Sequence, residues 1–121
     1  MSKRVFIESP YSSETSEGIL ENVKYARLAM QDSLLRGEAP FLSHLLYTQH
    51  PDDDFVSDND LDKQCVGRDK AIQAAESWRE VSDLTVFYCD RGMSPGMIKA
   101  LDKIKNNPFN KFEFRYILIK K

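Results

Sequence analysis

Long apolar runs are missing from this chain: stretches such as Tyr116 to Ile119 fall far short of the ~20 residues that cross a bilayer. No membrane span or membrane partner is expected. The N-terminal residues read at once as a strand and not as a secretory signal, which predicts a cytoplasmic protein. Cysteine is scarce, and Cys65 and Cys89 are too far apart for a metal or redox pair, so both are expected to be reduced and structural. An excess of either charge is also missing. Seventeen basic and nineteen acidic residues leave a net charge of −2, which gives no electrostatic reason to coat DNA or RNA. Neither the lysine-bearing P-loop nor the G-x-G-x-x-G of dinucleotide folds occurs, and there are no repeats or low-complexity segments.

What is present suffices for one core. The 121 residues, 41% apolar and 30% charged, fit a single compact domain spanning 1–121. Val5, Phe6 and Ile7 form an apolar burst ended by Glu8-Ser9-Pro10, the pattern of a buried strand. Ile19, Val23, Ala26, Met30 and Leu34 then recur at helical spacing, with Ser16 as the expected N-cap and Gly37 as the stop. Ala39 to Leu42 reads as a second strand, and residues 50–62, rich in aspartate, as a surface loop. Leu61, Cys65, Ile72, Ala75 and Trp78 mark a second helix, and Leu84 to Tyr88 a third strand. Ser94 followed by Pro95 predicts a third helix start, and Phe112 to Ile119 a last strand. Alternating strands and helices predict an α/β three-layer sandwich around a small, mostly parallel sheet, flavodoxin- or Rossmann-like.

In such sheets ligands sit beyond the carboxyl ends of the strands. Two loops are therefore selected, with the stretch from Ser43 as a third wall. The first carries Glu8, Ser9, Tyr11 and Ser12 ahead of a helix N-terminus, where backbone N–H groups and the helix dipole favour an anion. The second runs Asp90-Arg91-Gly92-Met93-Ser94-Pro95-Gly96-Met97, where Gly96 in a first helical turn suggests the close approach of a ligand or of another backbone segment. His44 in the third wall can donate to a phosphate or serve as an ordinary structural hydrogen-bonder. His50 with Asp52 to Asp54 lacks the convergent oxygens a hard cation needs, so no metal and no cofactor are expected. Trp78 and Tyr88 are expected in the core, and the lysines of the last quarter, with Arg115, on a solvated face.

These residues carry a resemblance. Ile7-Glu8-Ser9-Pro10-Tyr11 resembles the first strand-end element of the nucleoside 2-deoxyribosyltransferase superfamily, which includes the deoxynucleoside 5′-monophosphate N-glycosidases. Asp83, Asp90-Arg91-Gly92 and Ser94-Pro95-Gly96-Met97 resemble its second signature. Arg36-Gly37-Glu38-Ala39-Pro40, the run from Ser43 to Gln49 and the run from Arg68 to Trp78 are similar to small phage-borne members of uncharacterised role, and the likeness extends to about Ile104. It implies a compact α/β fold, a nucleoside or nucleotide ligand, oligomers whose subunits share pockets, and cleavage of an N-glycosidic bond.

One departure matters. The superfamily's signature runs from an aspartate through a glycine two residues on to a nucleophilic glutamate six residues on; Asp90 and Gly92 fit, but Gly96 stands at the glutamate's position. Glycine can neither attack an anomeric carbon nor stabilise its developing charge. The expectation is therefore a nucleotide-binding protein that has lost the nucleophile and sequesters or senses its ligand, in a phage setting a sponge for ADP-ribose-type or cyclic-nucleotide signals. The alternative is an N-glycosidase or deoxyribosyltransferase in which Glu8 or Asp90 is the working carboxylate. Against that stands a simpler assignment of the two, Glu8 on a ribose hydroxyl and Asp90 capping its loop. A third reading is a partner-binding protein with a vestigial pocket.

Overall fold

The computed structural model describes residues 2–47 and 68–117. The elements run β1 (Arg4–Glu8), α1 (Ser16–Leu35), β2 (Ala39–Phe41), α2 (Ser43–Leu46), α3 (Arg68–Glu80), β3 (Leu84–Tyr88), α4 (Pro95–Lys105) and β4 (Phe112–Arg115). The expected loop over 50–62, the Leu61 to Cys65 start of the second helix and the Leu118 to Ile119 end of the last strand lie outside the described residues.

The four strands form one sheet in the order β2-β1-β3-β4, and every pair is parallel. The sheet is thus fully parallel where the sequence predicted a mostly parallel one, and the α/β layering is as expected. Strands covered on both faces read as continuous apolar bursts, which is how Val5-Phe6-Ile7 and Leu84 to Tyr88 could be found. Alternation sends Val5, Ile7, Leu84, Val86 and Tyr88 to one face, where they pack with Tyr25, Ala26 and Ala29 of α1. Phe87 and Cys89 face the opposite layer and pack with Met97, Ala100 and Ile104 of α4. Cys89 is a buried free thiol, as expected; Cys65 is outside the described residues.

Helix α1 is capped one residue earlier than expected. Thr15 is extended (φ −124°, ψ 154°) and its side chain accepts from the Gly18 N–H at 2.9 Å, while Ser16 is already helical. The far end closes as a Schellman motif. Gly37 takes φ +83°, its N–H donates to Leu34 O at 2.9 Å, and Glu38 N–H donates to Ser33 O at 3.1 Å.

Two other expectations change. Trp78 is 51% exposed because it sits at the rim of the sheet, stacked by one ring face on Phe41 of edge strand β2 at 5.4 Å. Arg115 leaves the expected solvated basic face altogether. Its side chain is 6% exposed and bridges β4 to β2, with Nη1 and Nη2 donating to Glu38 Oε1 and Oε2 at 2.9 and 2.7 Å. Nη1 also donates to the buried Tyr88 hydroxyl at 3.1 Å, which in turn donates to Asp32 at the end of α1 at 2.7 Å. The Arg115 guanidinium accordingly holds the Glu38 carboxyl below the usual range.

Removing one partner from a buried ion pair strands the other's charge, at a cost of roughly 3–5 kcal/mol. Arg115→Met is expected to lower the urea-unfolding free energy by about that much. Arg115→Met combined with Glu38→Gln should recover part of the loss, since the carboxylate then left without its partner is the half-exposed Glu113 and not a buried one.

Candidate functional site

The first crossover, through α1, leaves β1 toward β2, whereas β3 pairs with the other side of β1. The loops after β1 and β3 therefore diverge, and a divergence of this kind opens a crevice at the carboxyl edge of a parallel sheet. A cleft of about 520 Å3 lies there, within the size range of small-molecule sites. Glu8, Tyr11 and Ser12 enter it from β1 and its loop, Ser43, His44 and Tyr47 from the stretch after β2, and Ser94 to Met97 from the start of α4. Ala71, Ile72, Ala75, Glu76 and Arg79 of α3 form the facing wall, with Lys99 and Lys103 of α4.

Local structure fixes each wall. The buried Asn22 side chain of α1 donates to Tyr11 O at 2.9 Å and pins the loop after β1. Tyr11 in turn lies against the His44 ring with centroids 5.2 Å apart. At α4 the Ser94 side chain accepts from the Met97 N–H at 3.2 Å and Pro95 occupies the first helical position, as the sequence predicts.

The floor of the cleft is charged. Glu8 ends β1 on the face away from α1, its side chain 13% exposed, and the Arg79 guanidinium, 15% exposed, lies 3.6 Å from Glu8 Oε2 and 3.9 Å from Glu76 Oε2. Arg79 also sits over the Phe6 ring at 5.8 Å. Lys103 closes the chain with an ion pair to Glu76. Burial pushes the Glu8 carboxyl up to about 7, a rise that Arg79 only partly offsets. Glu76 goes the opposite way, held below the usual range mainly by its hydrogen bond from Lys103. One cleft thus contains a carboxyl that is half neutral near pH 7 beside one that stays ionised.

Residues 3–114 match the family model described as Domain of unknown function (DUF7768). The chain belongs to that family. The match spans every residue of the cleft, from Glu8 to Lys103. No curated protein and no solved structure matches the chain.

Of the residues singled out in the sequence, the structure brings Glu8, Tyr11, Ser12, His44, Ser94, Gly96 and Met97 to this cleft. Three others lie elsewhere. Ser9 is buried beneath the loop, 1% exposed. Asp90 is held on the α1 side of the sheet: its Oδ1 accepts from the Tyr25 hydroxyl and, at 2.9 Å, from the Ile117 N–H, while its own N–H donates to the Tyr25 oxygen at 2.8 Å. Arg91 donates from Nε to Asn22 Oδ1 at 2.9 Å. Glu8 and Asp90 are therefore separated by the sheet and do not form a carboxylate pair. Gly96 is not wedged against any neighbour, since a Cβ there would meet nothing nearer than Ser94 Oγ at 4.0 Å. Among the described residues no three His, Cys, Asp or Glu side chains converge to hold a metal, and His50 with Asp52 to Asp54 lies outside them. No helix among the described residues is long and apolar enough to cross a membrane.

Sequence reasoning missed the α3 wall and the two lysines. A signal existed, because Arg79 stands seven and four residues after Ile72 and Ala75 and so shares their helix face.

The raised Glu8 carboxyl has a thermodynamic consequence. Its folded value of about 7 exceeds the ordinary 4.5, so folding favours the protonated form. The associated stability is present in full below pH 4.5 and is lost as pH rises through 7. Relative to Glu8→Gln, the native protein should lose about 3 kcal/mol between pH 4.5 and pH 8. Urea unfolding of both proteins across that range measures it.

Proposed function

We infer that this protein binds a nucleotide in the cleft, on a deoxyribosyltransferase-like scaffold, and holds the ligand without that superfamily's glycosyl-transfer chemistry. The observation that carries this reading is the position of the cleft. It lies at the carboxyl edge of β1 and β3, where the strand order reverses direction, and parallel α/β sheets use that place for ligands. Its walls suit the ligand class. Arg79, Lys99 and Lys103 supply fixed positive charge against Glu8 and Glu76, and Glu8 is partly neutral at pH 7. His44 and Tyr47 offer aromatic surface for a base, and at the start of α4, where Pro95 has no N–H and those of Met97 and Ile98 donate to Ser94, the Gly96 N–H is left for an anion. Gly96 adds no carboxylate to the wall, which supports sequestration or sensing over turnover.

A second reading keeps an enzyme on the same site. A carboxyl near pH 7 in a cleft is the form an acid catalyst takes, and Glu8 is such a group. In an N-glycosidase or transferase it would hand its proton to the leaving base.

One experiment separates the two. The purified protein is incubated with a mixed panel of deoxynucleotides, ribonucleotides, ADP-ribose and cyclic nucleotides, freed of unbound ligand and heat-denatured. All fractions are then identified by mass spectrometry. Intact nucleotide recovered with no free base is the expected result. Free base and sugar phosphate, abolished by Glu8→Gln, would establish the enzyme instead. A protein that retains no panel member and whose melting temperature none of them raises does not bind nucleotides.

A further inference from the structure

The Glu8–Arg79 contact is unusual for a largely buried ion pair. At 3.6 Å it is too long for a hydrogen bond, and the second contact, to Glu76 at 3.9 Å, is longer still. Among the described residues no acceptor stands within hydrogen-bonding distance of the Arg79 guanidinium, and no donor within that distance of the Glu8 carboxylate. The contrast with Arg115 is direct, since that guanidinium makes four hydrogen bonds of 2.6–3.1 Å. A guanidinium presents five N–H donors in a planar fork matched to two oxygens of a phosphate or carboxylate. Arg79 is placed at the floor of a cleft with this fork unfilled by the described residues.

We propose that Arg79 is the anion clamp of the cleft and Glu8 its internal competitor: a phosphoryl group of the ligand takes the guanidinium bidentately and displaces the Glu8 carboxylate, which takes a proton from solvent. The proposal rests on the nucleotide reading for the identity of the ligand but not for the existence of the anion site.

Charge on every side of Glu8 fits this exchange. Arg79 and Glu76 face it from α3, Lys99 and Lys103 from α4, His44 and Tyr47 from the stretch after β2, and Tyr11 from its own loop. Lys103 is already bound to Glu76, and among the described residues Arg79, not Lys99, is the cation within ion-pair distance of Glu8, so an arriving dianion that takes Arg79 leaves the Glu8 carboxylate unpaired. Such a group is cheaper to neutralise than to keep charged in a desolvated place. Ionised Glu8 occupies Arg79 and repels the incoming anion; protonated Glu8 does neither and can donate a hydrogen bond to it. Anion affinity should therefore fall as pH rises through 7, in addition to any change from the ligand's own titration.

The test uses the full chain, with Arg79→Met, Arg79→Lys and Glu8→Gln variants. The probes are inorganic pyrophosphate, an equimolar mixture of 5′-mononucleotides, and the corresponding nucleosides. Binding is measured by calorimetry and thermal shift at pH 6 and pH 8.5. The ligand titrates identically against native and Glu8→Gln protein, so their affinity ratio isolates Glu8. Glu8→Gln is expected to bind the phosphorylated probes about tenfold more tightly than native protein at pH 8.5 and equally at pH 6. A gain of affinity cannot arise from misfolding. Arg79→Met should lose at least about tenfold for phosphorylated probes and leave nucleosides unaffected, with Arg79→Lys between them. Equal affinity of native and Glu8→Gln protein at pH 8.5, or native affinity in Arg79→Met, overturns the proposal. Binding of nucleosides alone also overturns it while leaving a nucleoside site. Binding of pyrophosphate but of no nucleotide supports the clamp and overturns the nucleotide reading. Binding of no probe overturns both.

Discussion

A strand covered on both faces has no solvent side, and alternation alone then decides where its last side chain points. In β1 this puts Val5 and Ile7 under α1 and sends Phe6 and Glu8 toward α3 and α4. A carboxylate delivered to the second layer must either be compensated or give up its charge. Both happen in part: Arg79 reaches it from α3, and burial still raises the carboxyl to about 7. The carboxylate in the cleft floor follows from that one register. A shift of β1 by one residue would place Glu8 under α1 and Ile7 in the cleft.

The two faces of the sheet handle buried charge differently, and the difference marks which face is architecture. On the α1 side, Asp32, Glu38 and Asp90 accept hydrogen bonds from Tyr88, Arg36, Ser33, Arg115, Tyr25 and the Ile117 backbone. Asp32 and Glu38 are held below the ordinary carboxylate range, and Tyr25 and Tyr88 are raised. Closed networks of this kind fix geometry: they tie the end of α1 to β2, β3 and β4. On the α3 side, the Glu8 and Arg79 groups meet at ion-pair distance without hydrogen bonds among the described residues. A pair with unfilled donors and acceptors beside a cleft can exchange partners, whereas Arg115 and Glu38 cannot do so without unfolding their surroundings.

What the sequence disclosed follows the range of the interactions. Apolar bursts, the Ser94-Pro95 start and the Gly37 stop are local, and the strand and helix pattern with its parallel sheet could be read from them. Topology then selected the loops after β1 and β3, and through them Glu8, Tyr11, Ser12 and Ser94. The cap of α1 falls on Thr15 and not on Ser16 although the two are chemically equivalent candidates, and only the backbone angles at Thr15 separate them. Contacts between distant parts of the chain left no such mark. Asp90 follows the end of β3 by two residues, near where Glu8 ends β1, yet Tyr25, 65 residues away, draws it to the opposite face. In the sequence Arg115 is one more cation in a basic tail; Glu38, 77 residues distant, is what holds it buried. Trp78 had the spacing of a core residue, and its exposure reflects the edge position of β2, which no periodicity encodes.

The electrostatics of the cleft also bear on whether a bound ligand would be held or cut. A carboxylate acting as a nucleophile must be ionised, and burial already works against that at Glu8. An anionic ligand would push further in the same direction, for two reasons. Its charge repels a second anion nearby, and any claim it makes on Arg79 weakens the interaction that lowers the Glu8 carboxyl. The better the cleft binds an anion, the poorer Glu8 becomes as an attacking group and the better it becomes as a hydrogen-bond donor or acid. A covalent glycosyl intermediate would need an ionised carboxylate free to attack, and the ionised carboxylate of this cleft, Glu76, is engaged by Lys103. Cleavage, if this cleft performs it, would have to proceed by protonating the departing base and admitting water. That route needs Glu8 neutral and close to the base, whereas holding the ligand needs Glu8 neutral and close to the anion. The distance from Glu8 to Arg79 favours the second, because it keeps the carboxyl beside the cation that an anion would seek.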